Sequence, residues 1–276
     1  MSRENKQGIM FLNHGTSHLE RLITSLWSLR KVAKFDGPIA VADTGSSCGV
    51  IDRIAADARL GVSVVPISAF DIPLSVVRAG LWRHSPFQTT VFAHSDTVFA
   101  APLDPLFDIL NNAANPPVLV THFADWVTTQ TNVAKVLKPW AKVNAKQSSC
   151  FERAIRVKHL VRESLDAAWA AINTGIIGFR GDPHFCGQWE RLTAAGVKVF
   201  TGHGREFSDR IAAQLLIRVH RHTLVSDRYN CSVKSGKEVS KAVCWHFHGG
   251  RHLESEVWQA AYADAMTANA GGIAGD

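Results

Sequence analysis

The sequence lacks any uninterrupted apolar run of about 18 residues, the length that a membrane-spanning helix requires. The stretch Met1–Gln7 is mostly polar and has none of the apolar core of a secretory signal peptide. From these two absences we expect a soluble cytoplasmic protein with no transmembrane segment.

Cysteine is scarce and scattered. The chain has five cysteines, an odd number, and no two of them form a Cys-x-x-Cys pair. Widely spaced single cysteines are typical of free thiols in a reducing compartment, and they do not supply the clustered ligands of a structural zinc site. We therefore expect free thiols and no structural zinc. The cysteines are Cys48, Cys150, Cys186, Cys231 and Cys244.

The composition is that of one globular domain. Of 276 residues, 46% are hydrophobic and 20% are charged, which is enough apolar material for one large core. The net charge of +6 suits a polyanionic partner, although the same excess is common on an ordinary solvated surface. We expect a single domain over residues 1–265, with a helix-rich excursion at about 123–170, and a flexible tail at 266–276.

Strand-like and helix-like segments alternate over the first part of the chain, which predicts an α/β fold with a mostly parallel sheet. Gly8–Asn13 is predicted to be a buried strand, and the apolar spacing after residues 14–18 predicts a helix. A second strand is predicted to end at Asp43. Because ligands bind outside the carboxyl ends of strands in such sheets, both strand ends are predicted to face a ligand crevice.

The most informative stretch is residues 90–99, an apolar strand that leads into His94 and Asp96. These residues are two positions apart, so on an extended segment both side chains would point to the same face. A carboxylate at the carboxyl end of a buried strand is placed to hold a divalent cation against a diphosphate. The alternative is that Asp96 caps the following turn and His94 is a polar strand end.

A second group of potential ligands lies near the end of the sequence. Within residues 244–252, His246 and His248 alternate along a predicted strand, and Arg251 follows two glycines. Imidazole nitrogens bind transition metals, and an arginine can clamp phosphate. The alternative is an exposed, histidine-rich strand end. Farther upstream, the predicted strand at 172–180 is interrupted by Gly175, where a backbone must come close to another group.

The order of these segments resembles the GT-A glycosyltransferases of the glycogenin and lipopolysaccharide-galactosyltransferase type. In those enzymes a segment like residues 85–97 carries an Asp-x-Asp motif that binds manganese and the sugar-nucleotide. Here His94 replaces the first Asp, and Asp96 keeps the second. Further segments resemble the family's motifs in the same order: Leu103–Phe107, Asn173–Arg180, Phe207–Arg210 with Leu215, Tyr229–Asn230 and His246–Gly249.

The resemblance implies a GT-A-like hexosyltransferase that uses a nucleotide-diphosphate sugar and a divalent cation, Mn²⁺ or Mg²⁺, and retains the anomeric configuration. The implied metal ligands are His94, Asp96 and His246. The implied donor-binding residues are Asn13, His14, Gly15, Thr16, Asp43, Arg78, Ser95, Gly175, Gly249 and Arg251. Three residues are implied near the chemistry: Arg78 as a cation for the leaving diphosphate, Asn173 as a sugar contact, and Asp209 as a carboxylate near the anomeric carbon. The alternative for Asp209 is the N-cap of the helix that follows it.

The acceptor side is implied to include Trp126, Thr128 and Gln130, since tryptophan faces stack well on sugars and bases. The alternative for Trp126 is a core position. Basic residues cluster over residues 135–158 of the same excursion, which would suit a polyanionic acceptor. We therefore expect a saccharide or glycolipid acceptor by default, with DNA that carries a hydroxylated base as the other candidate.

The departure at His94 leaves the metal question open. Replacing Asp by His removes a negative charge and a hard oxygen ligand, which implies weaker metal binding, a softer metal, or lost metal dependence. It also supports a different class of protein, a nucleotide- or sugar-binding pseudoenzyme without turnover. A nucleotidyltransferase is a third class, but residues 14–18 match its glycine-rich basic loop poorly.

Overall fold

The computed structural model of the chain describes residues 4–15, 18–45, 49–68, 71–122, 172–199, 208–233, 241–247 and 255–273. The strands in chain order are β1 (Glu4–Asn13), β2 (Ile39–Asp43), β3 (Val62–Pro66), β4 (Phe87–Ala93), β5 (Thr97–Phe99), β6 (Val118–His122), β7 (Ile172–Arg180), β8 (Thr223–Val225), β9 (Cys231–Ser232) and β10 (Cys244–His246). The helices are α1 (Leu19–Lys31), α2 (Val50–Ala56), α3 (Leu74–Gly80), α4 (Asp104–Asn111), α5 (His184–Val199), α6 (Ser208–Leu216) and α7 (Glu256–Ile273). Short 3-10 turns lie at Leu81–Arg83 and Asp227–Asn230.

The central sheet has seven strands in the order β3-β2-β1-β4-β7-β6-β8. Four of its pairings are parallel, and only β7 runs antiparallel to its neighbours β4 and β6. The predicted α/β class with a mostly parallel sheet is therefore confirmed. Because β7 runs in the opposite direction, its amino end meets the carboxyl ends of β1, β2, β4 and β6. This edge, where Asn13, Asp43, Ala93, Thr121 and Asn173 lie, is called the ligand edge below.

Helices cover both faces of the central sheet. In β1, Ile9 and Phe11 pack on one side with α1, whereas Met10 packs on the other side with Phe185 and Trp189 of α5. Strands that are buried on both faces need apolar residues at every position, which explains the continuous apolar run that the sequence shows here. Full burial of a side chain as large as Phe11 contributes roughly 1.5–3 kcal/mol to stability.

A second, three-stranded sheet in the order β5-β10-β9 carries the late part of the chain to the ligand edge. Strand β10 pairs antiparallel with β5, and this register places His246 opposite Thr97. Helix α1 holds β5 and the turn before it through a buried hydroxyl: Ser25 Oγ lies 2.7 Å from the Ser95 carbonyl and 2.6 Å from the Thr97 carbonyl. Next to it, the Phe99 N–H donates to Ser28 Oγ at 3.0 Å. The turn that carries Asp96 is thus anchored to a helix.

The predicted apolar strand ends at the His94 and Asp96 pair as expected, because β4 ends at Ala93 and a separate short strand, β5, begins at Thr97. The Thr97 hydroxyl donates to the His94 carbonyl at 2.8 Å and closes the turn between the strands. Helix α7 continues to Ile273, past residue 266 where the tail was expected to begin, and the flexibility of that tail stays a prediction.

The described cysteines agree with the expectation of free thiols. Cys186, Cys231 and Cys244 are buried and form no disulfide, and burial raises the pKa of the Cys244 thiol well above its ordinary value. Cys48 and Cys150 lie outside the described residues. Among the helices of the described ranges, none combines the length and the apolar character that crossing a membrane requires.

Candidate functional site

Three potential metal ligands meet beside the ligand edge. His94 follows β4, Asp96 lies in the anchored turn, and His246 ends β10. The His246 Nε2 atom is 3.2 Å from Asp96 Oδ1, and the His94 Nδ1 atom is 3.8 Å from the same oxygen. The potential ligand atoms of the three residues lie within 4.8 Å of one another. The turn after β4 therefore brings together the side chains that an extended strand was expected to align.

The chemistry of this cluster fits a divalent cation. Burial lowers the pKa of His94 well below its ordinary value, with Arg78 and His246 lowering it further and Asp96 opposing them, so the ring is neutral and keeps a lone pair. His94 Nε2 is buried and has no hydrogen-bond partner within the described ranges. Two imidazoles and one carboxylate form a donor set that suits transition metals better than Mg²⁺ or Ca²⁺.

The second layer around His246 is formed by β6, β7 and the 3-10 turn before β9. His246 Nδ1 is 2.9 Å from Asn230 Oδ1, and Asn230 Nδ2 donates to the Thr121 hydroxyl at 2.8 Å. A Cβ at Gly175 would overlap the His246 ring atoms Cε1 and Nδ1 and would lie 2.9 Å from Asn230 Oδ1. The close approach predicted at Gly175 is therefore found, and the group that approaches is His246.

Asn173 lies beneath this second layer. Its Oδ1 accepts from the Gly175 N–H at 2.9 Å, and its carbonyl accepts from the Thr121 hydroxyl at 2.9 Å. The residue is only 3% exposed, so these bonds support the backbone under His246. The contact between Asn173 and a donor sugar stays a prediction.

Arg78 and Asp209 form a buried ion pair at the start of α6. Arg78 Nη2 is 3.3 Å from Asp209 Oδ1, and Arg78 Nε is 3.2 Å from Oδ2. Helix α6 begins at Ser208, so Asp209 lies within its first turn and the N-cap alternative for it was wrong. Burial raises the pKa of Asp209, and Arg78 opposes that shift. The catalytic roles implied for Arg78 and Asp209 stay predictions.

Arg210 is a residue that the sequence did not single out as a candidate. Burial lowers its pKa to about 10, although the Asp209 carboxylate opposes the shift. The charge of Arg210 also contributes to the low pKa of His94, so it acts on the metal-ligand cluster. The sequence places Arg210 next to Asp209, but nothing in its local pattern signals burial.

A pocket opens over the cluster at the ligand edge. Its lining residues are Leu12, His14, His18, Arg21, Leu74, Arg78, Phe92, His94, Ser95 and Asp96. Two arginines, Arg21 and Arg78, outnumber the single carboxylate in this lining, which suits an anionic ligand. His14, Arg78 and Ser95 were predicted to bind the donor, whereas His18 and Arg21 were not singled out. Burial lowers the pKa of His18, and the charge of Arg21 lowers it further.

Asn13 and Asp43 join the ends of β1 and β2. Asn13 Nδ2 donates to Asp43 Oδ1 at 2.6 Å, and the Gly45 N–H donates to Asp43 Oδ2 at 3.1 Å. Beside them, His14 Nδ1 lies 3.1 Å from the Thr44 hydroxyl. Asn13 and Asp43 are both buried, so these bonds stabilise the strand ends below the pocket. Contacts of these residues and of Gly15 with a nucleotide stay predictions.

The remaining predicted positions lie outside the described residues. They are Thr16 and the glycine and arginine of the late loop, Gly249 and Arg251, together with the acceptor-side residues Trp126, Thr128 and Gln130. Their implied roles stay predictions.

Comparisons with known proteins identify the fold. No protein-family model matches the chain, and no curated protein matches it. Among solved structures, galactosyltransferase LgtC in complex with donor and acceptor sugar analogs is similar over 94% of this chain and 95% of its own, with 12% identity and a TM-score of 0.61. Glycosyltransferase GlyE of Streptococcus pneumoniae is similar over 93% of this chain and 61% of its own, with 12% identity and a TM-score of 0.60. Mouse xyloside xylosyltransferase 1 is similar over 88% of this chain and 97% of its own, with 10% identity and a TM-score of 0.53.

At these identities the likeness establishes the fold. The chain has the α/β fold of the GT-A glycosyltransferases, as its resemblance to that family implied.

Proposed function

We propose that this protein is a glycosyltransferase that moves a sugar from a nucleotide-diphosphate sugar to an acceptor hydroxyl. The observation that carries the proposal is the His94, Asp96 and His246 cluster at the ligand edge of a GT-A fold, where His94 and Asp96 also line a pocket that contains Arg21 and Arg78. One structure with this fold was solved with donor and acceptor sugar analogs, which supports the same substrate class here.

The chemistry of transfer explains why these groups would be placed together. As the anomeric bond breaks, the nucleoside diphosphate leaves with its negative charge, and the site must stabilise that charge. A divalent cation held by His94, Asp96 and His246 would supply part of the stabilisation. Arg78 lines the pocket and is oriented by two contacts with Asp209, so its guanidinium adds a fixed positive charge.

We also propose that transfer retains the anomeric configuration, as the resemblance implies. Asp209 is the candidate carboxylate near the anomeric carbon, and Asn173 is the candidate sugar contact. The Asp209 side chain is only 2% exposed and is paired with Arg78, so its role would be electrostatic support within the site. Proton resonances of the anomeric position in the product would distinguish retention from inversion.

The proposed acceptor is a saccharide or glycolipid, with hydroxylated DNA as the other candidate. A DNA acceptor would bind through phosphates, and log affinity would then fall with log salt by about 0.9 for each phosphate neutralised. A saccharide acceptor with few charges would show a shallow salt slope. No binding of a hydroxymethylated duplex at low salt would remove the DNA candidate.

The decisive experiment incubates the protein with a panel of sugar nucleotides and Mn²⁺ and measures release of the nucleoside diphosphate. Asp96→Asn should abolish release, whereas Asp108→Asn on the exposed face of α4 serves as the matched control and should not. His246→Gln should also abolish release, with His184→Gln on the exposed face of α5 as its control. Release that is equal in the wild type and Asp96→Asn would contradict the proposed site.

The replacement of an acidic ligand by His94 favours a second candidate function. In a pseudoenzyme the pocket would bind a nucleotide or sugar without turnover. Saturable binding of a sugar nucleotide, with no release of nucleoside diphosphate for any donor in the panel, would support that candidate over transfer.

A further inference from the structure

We infer that Asn230 is a positioning residue that accepts the Nδ1–H of His246 and so directs the Nε2 atom of the ring toward Asp96. The inference depends on which atom of each hydrogen bond carries the proton. Three groups near Asn230 settle that question: the Thr121 hydroxyl on β6 and the Asn173 and Ile176 carbonyls on β7. The two carbonyls can only accept hydrogen bonds.

The chain of hydrogen bonds begins at carbonyl groups, which can only accept. The Thr121 hydroxyl has one proton, and it lies 2.9 Å from the Asn173 carbonyl and 3.1 Å from the Ile176 carbonyl. That proton is therefore directed to a carbonyl, and the hydroxyl oxygen accepts from Asn230. Asn230 also lies 3.2 Å from the Asn173 carbonyl through the same side-chain atom. Both partners are acceptors, so that atom must be the amide nitrogen.

The orientation of the Asn230 amide then determines the tautomer of His246. With the amide nitrogen directed at Thr121 and Asn173, the amide oxygen is the atom that lies 2.9 Å from His246 Nδ1. An amide oxygen can only accept, so Nδ1 must carry a proton and donate it. In a neutral ring the second nitrogen, Nε2, then has a lone pair.

The consequence concerns the second ring nitrogen. Nε2 faces the Asp96 carboxylate, whose Oδ1 lies 3.2 Å away. A positive charge between these two atoms stabilises the contact, and either a proton on Nε2 or a divalent cation bound to both atoms would supply it. Metal-ligating histidines commonly donate their other ring N–H to a second group that sets the ring orientation. In this site, the second group that accepts the ring N–H is the Asn230 amide oxygen.

Gly175 keeps the space that this arrangement needs. Because Gly175 has no side chain, the His246 ring and the Asn230 amide can both lie against β7 at this point, where a Cβ would overlap the ring. The tautomer can be tested without any metal or substrate. The effect of Asn230 on cation binding rests on the proposed function, because it assumes that the cluster holds a cation.

The first experiment measures the tautomer in metal-free protein. Long-range proton–nitrogen correlation spectra of ¹⁵N-labelled protein at about pH 8, above the ordinary histidine pKa of about 6.5, distinguish the two neutral forms and the imidazolium. The chain has 13 histidines, so His246→Gln identifies the His246 signals by their loss. We expect a proton on Nδ1 of His246, whether or not Nε2 also carries one. A neutral ring with its only proton on Nε2 would overturn the inference, whatever the activity of the protein.

The second experiment changes the acceptor. Asn230→Asp keeps an oxygen near His246 Nδ1 and should keep the Nδ1-protonated pattern, whereas Asn230→Leu removes the acceptor and should release the ring to the Nε2-protonated form. Binding of Mn²⁺ alone, measured by calorimetry, should weaken about 10- to 100-fold in Asn230→Leu. Circular dichroism confirms that each variant is folded. Where Asn230→Leu does not fold, Thr121→Val gives the same test, because it removes the hydroxyl that orients the Asn230 amide.

The outcomes separate the inference from the proposed function. An unchanged tautomer in a folded Asn230→Leu protein would overturn the positioning role even if sugar transfer is found. The expected tautomer together with no sugar transfer would leave the positioning role in place and contradict the proposed function instead.

Discussion

Substituting Gly175 by Ala tests the packing on which the metal-ligand cluster depends. The new Cβ would overlap the ring of His246, which is buried and only 2% exposed, and would crowd Asn230 Oδ1. The ring cannot yield without leaving its bond to Asn230, so either the ring rotates or β7 shifts. Either change moves the Nε2 atom away from Asp96.

The size of the effect follows from two opposing terms. Forcing an extra methyl group into a packed interior costs about 1–3 kcal/mol. Replacing a strand glycine by alanine stabilises the folded state by about 0.5–1 kcal/mol, because the unfolded chain loses conformational freedom. We therefore expect a net loss of stability of about 0–2.5 kcal/mol and a fall in Tm of up to about 10 °C for a domain of this size. Cation affinity should fall by more than tenfold, since a misplaced ligand binds poorly.

Gly178→Ala is the matched control in the same strand. A Cβ at Gly178 would lie 2.6 Å from Leu110 Cδ1, the end of a flexible side chain that is far from the ligand cluster. Differential scanning fluorimetry gives the two Tm values, and calorimetry with Mn²⁺ gives the two affinities. Both variants should lose stability, but only Gly175→Ala should lose cation binding. Wild-type Mn²⁺ affinity in a folded Gly175→Ala protein would refute the reasoning.

Three further predictions concern the charged groups of the site. Millimolar Mn²⁺ with uridine or guanosine diphosphate should raise the Tm, because a ligand that binds only the folded state stabilises it; Asp96→Ala should remove the metal-dependent part, and an unchanged shift in that variant would exclude Asp96 as a ligand. His94→Asp should strengthen the dependence of activity on Mn²⁺, since a carboxylate is a harder donor; equal activity with and without a chelator in both proteins would show that the site works without metal. Arg78→Met should destabilise the protein by about 3 kcal/mol near pH 7, because it removes the guanidinium that is bonded to the buried Asp209 carboxylate. Burial already raises the pKa of Asp209 and Arg78 opposes it, so the variant's folded state holds a proton that the unfolded state releases above about pH 4. Its stability loss should therefore grow as pH rises, and urea unfolding that shows an equal loss at pH 4 and pH 7 would contradict this account.

The sequence was most informative where apolar runs end at polar residues. The ends of β1, β2 and β4 were located correctly because each run is buried on both faces and stops at a ligand-edge residue such as Asn13 or Asp43. The short strand β5 was not predicted as a separate element, because three residues are too few to show a period. The bonds from Ser25 on α1 that anchor the turn before it were not predicted either, because a distant side chain leaves no trace in local periodicity.

The second layer of the site was harder to predict. Asn230 lies 16 positions from His246, and its role depends on a hydrogen bond that residue spacing cannot reveal. The family resemblance singled out Asn230 as part of a Tyr-Asn pair, but it did not imply that Asn230 is bonded to His246. A usable signal did exist for Ser25 and Ser28, since two hydroxyls on the apolar face of α1 need partners when they are buried. The helical character of α7 was missed because its residues are mostly small and show little amphipathic contrast.

The small sheet formed by β5, β10 and β9 has a consequence for the order of folding. It joins Thr97 to His246, so the cluster is completed only after the segment that carries His246 has docked onto the segment that carries His94 and Asp96. Contacts between such distant segments carry a loop-closure cost and form slowly. A fragment that is cut between Asp96 and His246 does not contain all three ligands. Cation binding would therefore report that these two segments have docked, and a nascent chain that ends before His246 would remain unable to capture metal.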